Sequence, residues 1–159
     1  RVLFRSDSKK NLYTDNCILN SVLNIKYSAA QVADIKIESN IFVPKYMNID
    51  YGDMGVLFGN LLDNAIEANQ GVDRKKRWIN VSVKYEEHIL IINIKNSKIR
   101  GSRRKKKGYL NHGIGLNSVK QIVEKFNGIV EVQDFGEMYE VSAILYGICD
   151  DKDLGKSVL

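Results

Sequence analysis

A chain of 159 residues is long enough for one domain with a two-layer core and too short for two independent ones. With 44% hydrophobic residues, a single proline and no apolar run of membrane-spanning length, it reads as a soluble globular chain without a span or a signal peptide. Its net charge of +5 is local: eight of the 24 basic residues lie in segment 95–107, which holds no acid, and the remainder is mildly acidic. A nucleic-acid-binding domain spreads its cations over a face or a helix, so this distribution argues against that class. Cys17 and Cys149 lack the close spacing of a metal or redox motif and, lying in apolar stretches, are expected to be buried reduced thiols. The chain opens at Arg1 without a methionine, which reads as an excised fragment.

Along the chain, Ile18, Leu19, Val22, Leu23, Ala29, Ala30 and Ala33 recur at helical spacing, predicting an amphipathic helix over 15–33 capped by Thr14 or Asp15. Ile35, Ile37, Ile41 and Val43 alternate as a strand interrupted at Ser39 and ended by Pro44. A long helix follows over 50–70, with Met54, Leu57, Phe58, Leu61, Leu62, Ala65 and Ile66 on one face and Gly71 as its stop. Residues 78–85 and 88–95 alternate as a hairpin joined tightly at Glu86-Glu87, which makes His88 the start of a strand. Segment 96–115 has no apolar period and holds four glycines, the mark of a functional loop. A helix resumes at Leu116 and stops at Asn127-Gly128, two strands follow at about 129–134 and 138–147, and the charged tail 150–159 is expected to fray. The order predicts an α+β fold, a mostly antiparallel sheet covered by helices on one face.

Three segments carry chemistry. Asn60, Asn64 and Glu67 fall at i, i+4 and i+7 of the long helix and form a stripe expected to lie opposite its apolar face, with Asp53 and Asp63 beside it. No lysine or arginine occurs between Lys45 and Arg74, so the matching cation is expected from outside: magnesium suits amide and carboxylate oxygens, and a solvated acidic face is the alternative. His112-Gly113-Ile114-Gly115-Leu116 places two glycines where loop becomes helix, a geometry that lets backbone N–H groups approach a phosphate or serves only to form the turn. Asn96 ends a strand, as asparagine often does, or accepts an adenine amino group through its amide oxygen.

In chain order these segments resemble the GHKL family of ATP-binding proteins, which includes gyrase, histidine kinases and MutL. Asn60-Leu61-Leu62-Asp63-Asn64-Ala65 looks like the asparagine box of histidine kinases, and Gly113-Ile114-Gly115-Leu116 like the second glycine box, in a resemblance that covers about residues 12–147. It implies a two-layer sandwich of the Bergerat type, a mixed, mostly antiparallel sheet with about three helices on one face. It also implies ATP as ligand, Mg2+ on Asn64 and the triphosphate on the glycine box, with Asn60, Glu67, Asn96 and His112 completing the site. Asn60 takes the catalytic place where hydrolytic members carry a general-base glutamate. An amide cannot take a proton from water, so ATP is expected to be held rather than rapidly hydrolysed.

Two departures mark a subfamily. Asn96-Ser97-Lys98 replaces the usual Asp-x-Gly-x-Gly box, and Glu67 replaces the usual basic residue after the asparagine box; both resemble the peptide-receptor kinases typified by AgrC and ComD. The resemblance makes residues 12–149 the ATP-binding domain, about 97–112 its lid, 1–11 the end of an upstream dimerisation segment or linker, and 150–159 a tail. The lid cations Arg103, Arg104, Lys105, Lys106 and Lys107 then either offset triphosphate charge or remain solvated. Neither His88 nor His112 suits a phosphoacceptor, so the resemblance implies an acceptor histidine on a dimerisation helix outside this chain and a response regulator as onward partner. The receptor would be bacterial and membrane-bound, sensing an extracellular peptide, with this part cytoplasmic, not inserted in the membrane and monomeric when alone. An anti-sigma-type serine kinase and a non-catalytic nucleotide-binding or interaction module are the rival readings.

Overall fold

The computed structural model describes residues 11–101 and 113–154. Helix α1 (Cys17–Val32) begins at Asn16, not at Thr14 or Asp15: the Asn16 side-chain oxygen accepts the Leu19 N–H at 3.1 Å, while Thr14 accepts from the Asn16 N–H at 3.2 Å. Asparagine at this place satisfies one of the orphan donors of the first turn. Leu19, Leu23, Tyr27 and Ala30 form the buried face.

Strand β1 (Lys36–Phe42) runs through Ser39 without a break. The hydroxyl expected to interrupt it points inward and pairs with the buried Tyr27 hydroxyl at 2.7 Å. Burial pushes the Tyr27 phenol up to about 12, against the lowering effect of that hydrogen bond. Helix α2 (Tyr51–Ala68) is capped by Asp50, whose carboxylate accepts the Gly52 N–H at 2.7 Å, and buries Met54, Leu57, Phe58, Leu61, Leu62 and Ala65. Gly71, at φ +86°, turns the chain beyond the helix. A single 3-10 turn at Arg74–Lys76 then leads into β2 (Trp78–Glu86) and β3 (Ile89–Ser97).

The hairpin turn lies one residue later than the sequence suggested. Glu86 still pairs with Ile89, so Glu87 and His88, at φ 47° and 67°, make the two-residue turn. His88 is therefore a turn residue. Helix α3 (Gly113–Lys125) begins three residues before Leu116, which puts both glycines of the second motif inside its first turn. At its end Asn127 supplies the left-handed residue, at φ 51°. Gly128 is required for space instead, because a Cβ there would overlap the Ile144 carbonyl oxygen.

Strands β4 (Ile129–Asp134) and β5 (Met138–Tyr146) complete a five-stranded sheet of order β1-β2-β3-β5-β4, in which β1 and β2 are parallel and the other pairs antiparallel. Ile79, Val81, Val83, Leu90, Ile92, Ile94, Val141, Ala143 and Leu145 alternate along β2, β3 and β5 and form one core with the buried sides of α1, α2 and α3. This is the expected mixed sheet under three helices. The stretch expected to fray starts as a short helix, α4 (Asp151–Leu154), tied back where Asp151 accepts the Tyr46 N–H at 3.1 Å. Contrary to expectation neither cysteine is buried: Cys17 is exposed and Cys149 half-buried, both as free thiols. Among the described residues no helix is long and apolar enough to cross a membrane.

Candidate functional site

Helix α2 lies between α1 and α3, so its apolar face is wide, and this changes the place of the polar stripe. Asn60 is half-buried, Asn64 buried at 9% exposure and Glu67 exposed. The stripe is therefore not opposite the core, since Asn64 continues the line of Leu57 and Leu61 at helical spacing. Among the described residues Asn64 Nδ2 is the one buried side-chain polar atom without a hydrogen-bond partner. A buried unmet donor costs about 1–3 kcal/mol, so its presence calls for an acceptor.

The acids beside the stripe are already matched. Lys26 of α1 grips Asp63 through both carboxylate oxygens at 2.7 and 2.8 Å, and Lys125 of α3 grips Asp53 at 3.0 and 2.8 Å. The expectation that a metal would answer these carboxylates is corrected: lysines of the neighbouring helices do so. Among the described residues, the Asn64 Nδ2 one turn from Asn60 stays without such a partner.

The two motifs meet. A Cβ built on Gly115 would lie 3.7 Å from the Asn60 side-chain carbon and oxygen, so the first turn of α3 rests against the start of the asparagine motif. Gly113, Ile114, Gly115 and Leu116 all belong to that first turn, where N–H groups have no intrahelical acceptor. His112 and the cations Arg103, Arg104, Lys105, Lys106 and Lys107 lie outside the described residues.

Asn96 is 2% exposed and sits near the end of β3, on the same side of the strand as Ile92 and Ile94. Its Nδ2 donates to the Ser97 carbonyl at 3.0 Å. Behind it lies a network that sequence reasoning missed. Ser97 Oγ donates to Asn69 Oδ1 at 2.5 Å and accepts the Trp78 N–H at 3.0 Å, while Asn69 Nδ2 donates to the Ala65 carbonyl at 2.9 Å. Neutral side chains thus bind the end of α2 to β2 and β3. Ser97, placed at the start of the lid from sequence, still pairs with Met138 as the last residue of β3.

Beyond Ser97 a cleft of about 670 Å³ opens, with Val72, Trp78, Ile99 and Met138 among its apolar walls and Lys76 and Arg100 among its charged ones. It flanks the Asn96 end of the site rather than Asn60 and Asn64. The basic segment is partly neutralised here, since Lys98 meets Asp134 at 2.5 Å and Lys95 meets Glu140 at 3.6 Å. The Lys98 ammonium, and after it the Gly136 N–H, hold the Asp134 carboxyl below the usual carboxylate range. His88 Nδ1 lies 3.2 Å from the Ile148 carbonyl oxygen in the hairpin turn.

The GHKL domain profile matches residues 49–145, from just before the Asp50 cap of α2 to within one residue of the end of β5. A Bacillus subtilis (strain 168) protein described as a probable C4-dicarboxylate sensor kinase is 32% identical over 95 residues, which are 54% of this chain and 18% of that protein. The chain thus spans less than a fifth of the length of the curated relative it matches. Two solved structures share the fold: the mycobacterial sensor histidine kinase MprB, 17% identical with a TM-score of 0.62 over 82% of this chain and 93% of that one, and the catalytic domain of histidine kinase ThkA, 15% identical with a TM-score of 0.65 over 83% and 91%. A matched profile over most of the chain, the two motifs in contact and this shared architecture agree: the chain belongs to the GHKL family and has the ATP-binding fold of histidine kinase catalytic domains.

Proposed function

We propose that this domain binds ATP against α2 and the first turn of α3 and passes the γ-phosphoryl group to a histidine on the dimerisation helix of its own receptor, from which a response regulator takes it. The carrying observation is the unpartnered buried amide of Asn64, one helical turn from Asn60, against whose side chain the Gly115 backbone rests. As oriented, that amide offers a donor to a phosphate oxygen. Turned over, it offers an oxygen of the kind magnesium shares with phosphates, and the choice between the two follows from the hydrogen-bond network alone. Asn64 therefore fits either half of a magnesium nucleotide, and magnesium there would neutralise developing phosphate charge.

Around it, the N–H groups of Gly113, Ile114, Gly115 and Leu116 hold the triphosphate with the favourable end of the α3 dipole. Asn96 receives the adenine amino group. His112, Glu67 and the lid cations Arg103, Arg104, Lys105, Lys106 and Lys107 complete the set. In transfer, the acceptor imidazole nitrogen bonds to the γ-phosphorus as the bond to the β,γ-bridging oxygen breaks and ADP leaves. Asn60, lacking a basic oxygen, does not turn water into a competitor for that phosphoryl group.

The neutral Asn96-Ser97-Lys98 segment and Glu67 support a place among AgrC- and ComD-like peptide receptors, which makes this the cytoplasmic part of a bacterial membrane receptor with a quorum-sensing input. Labelling the full receptor with γ-phosphate-labelled ATP tests the reading. Phosphate that survives alkali and is lost in acid marks phosphohistidine; acid-stable label would mark a serine kinase instead. ATP binding without transfer would leave a nucleotide-binding module.

A substitution separates space from chemistry at the glycine motif. Gly115→Ala fits against Asn60 at ordinary contact distance and removes a glycine from a helix, so the fold should gain on the order of 0.5 kcal/mol. The extra methyl stands where the triphosphate approaches, so ATP affinity should fall about tenfold while adenosine binding changes little. Equal loss for both ligands would remove the phosphate role.

A further inference from the structure

Helices α1 and α2 leave a groove of about 350 Å³, lined by Val22, Ile25, Gly55, Val56, Gly59 and Asn60. Ile25 is 67% and Val56 43% exposed, apolar side chains that the fold leaves in water. Between them the floor is low: a Cβ on Gly55 would meet nothing within 4 Å. The charged residues of the lining, Lys26 and Asp63, are matched to each other at 2.7 Å, so the groove presents apolar walls without a net charge. Asn60 belongs to the lining, and a Cβ on Gly115 at the start of α3 would lie 3.7 Å from its side chain. The groove therefore shares Asn60 with the site assigned above to the triphosphate.

This position limits what can lie there. A phosphoryl group passes only to an acceptor held about 3–3.5 Å away and in line, so the element carrying the acceptor must rest on surface bordering Asn60. An apolar groove of this form takes one face of an amphipathic helix through side chains at i, i+3 and i+4. We propose that the groove between α1 and α2 seats the phosphoacceptor helix of the receptor, with Ile25 and Val56 as its apolar anchors. The proposal rests on the kinase reading and assigns that reading a docking surface.

The test uses the full-length receptor in lipid discs, comparing wild type with Ile25→Glu and Val56→Glu. Both side chains are exposed, and affinity for a nonhydrolysable ATP analogue reports whether the domain remains folded. The expected result is analogue affinity within twofold of wild type and phosphohistidine formation reduced at least tenfold, with Ile25→Leu restoring it. Wild-type labelling matched by both glutamate variants overturns the docking surface alone. A wild-type receptor that forms no phosphohistidine overturns the kinase reading and this surface with it. A concentration-dependent dimer of the isolated chain that Ile25→Glu abolishes, with labelling intact, gives the groove to a second copy and overturns the proposal.

Discussion

Replacing Asn64 with alanine is expected to lower nucleotide affinity at least a hundredfold while leaving the fold as stable as before. The two effects are separable because of where this asparagine sits. Its neighbours Leu61 and Ala65 are core residues, and a polar side chain in such company normally finds a hydrogen bond. Here Nδ2 finds none. Truncation therefore removes a buried donor whose isolation costs about 1–3 kcal/mol and substitutes a better helix former, which offsets the small void. Calorimetry with a nonhydrolysable ATP analogue and thermal unfolding of the same variant read the two halves. If the midpoint falls by more than about 4 °C, on the order of 1 kcal/mol for a domain of this size, Asn64 is structural. Unchanged affinity would end its assignment to the nucleotide.

Gly128→Ala is expected to cost the fold about 3 kcal/mol, the largest stability effect foreseen for a single methyl group in this chain. The reason is not φ, since the left-handed residue of the α3 stop is Asn127. A Cβ on Gly128 would overlap the Ile144 carbonyl oxygen and lie 2.7 Å from a Val123 methyl group and 3.0 Å from the Val123 carbonyl oxygen. Two of the obstacles are backbone atoms, which do not step aside by changing rotamer. The same junction is fixed by the Gly128 N–H donating to the Val123 carbonyl at 2.9 Å and the Tyr146 N–H to the Phe126 carbonyl at 3.1 Å. Chemical denaturation should show a lower midpoint at unchanged slope. A loss under about 0.5 kcal/mol, the usual size of a surface change, would mean that α3 and β5 are not held together at this point.

The parts of this fold that were legible in the sequence are those governed by local period. Leu19 and Leu23, or Met54, Leu57, Phe58, Leu61 and Leu62, recur as a helix buried on one side must recur, and the alternation of Ile79, Val81 and Val83 allows little but a strand. The errors have local causes of their own. Thr14, Asp15 and Asn16 are all good helix caps, and only the three-dimensional path decides that Asn16 meets the Leu19 N–H. Glu87 and His88 adopt positive φ without the Asn-Gly chemistry that usually announces such a turn, so nothing local marks Glu87-His88 over Glu86-Glu87 as its centre. Ser39 looked like an interruption because its partner, the Tyr27 hydroxyl, lies on another element.

The site was legible as residue types and illegible as an electrostatic arrangement. Asparagines four apart and glycines at a helix start can be read along the chain, and the contact between Asn60 and Gly115 agrees with grouping them. The charge balance of α2 cannot be read that way. Its missing cations come from Lys26 and Lys125, which lie 37 and 72 residues from the carboxylates they meet. The burial of Asn64 was hidden for the same reason, because a helix covered on both flanks has a wider apolar face than one resting on a single layer. The Asn69–Ser97 bond that fixes the Asn96 end of the site joins residues 28 apart, which no motif announces.

A calorimetric titration of this chain with a nonhydrolysable ATP analogue, with and without magnesium, tests nucleotide binding directly. Magnesium-dependent binding at tens to hundreds of micromolar, worth about 5–6 kcal/mol, is the expected result. Absence of binding at millimolar nucleotide would contradict the assignment of Asn64 and the glycine motif to ATP.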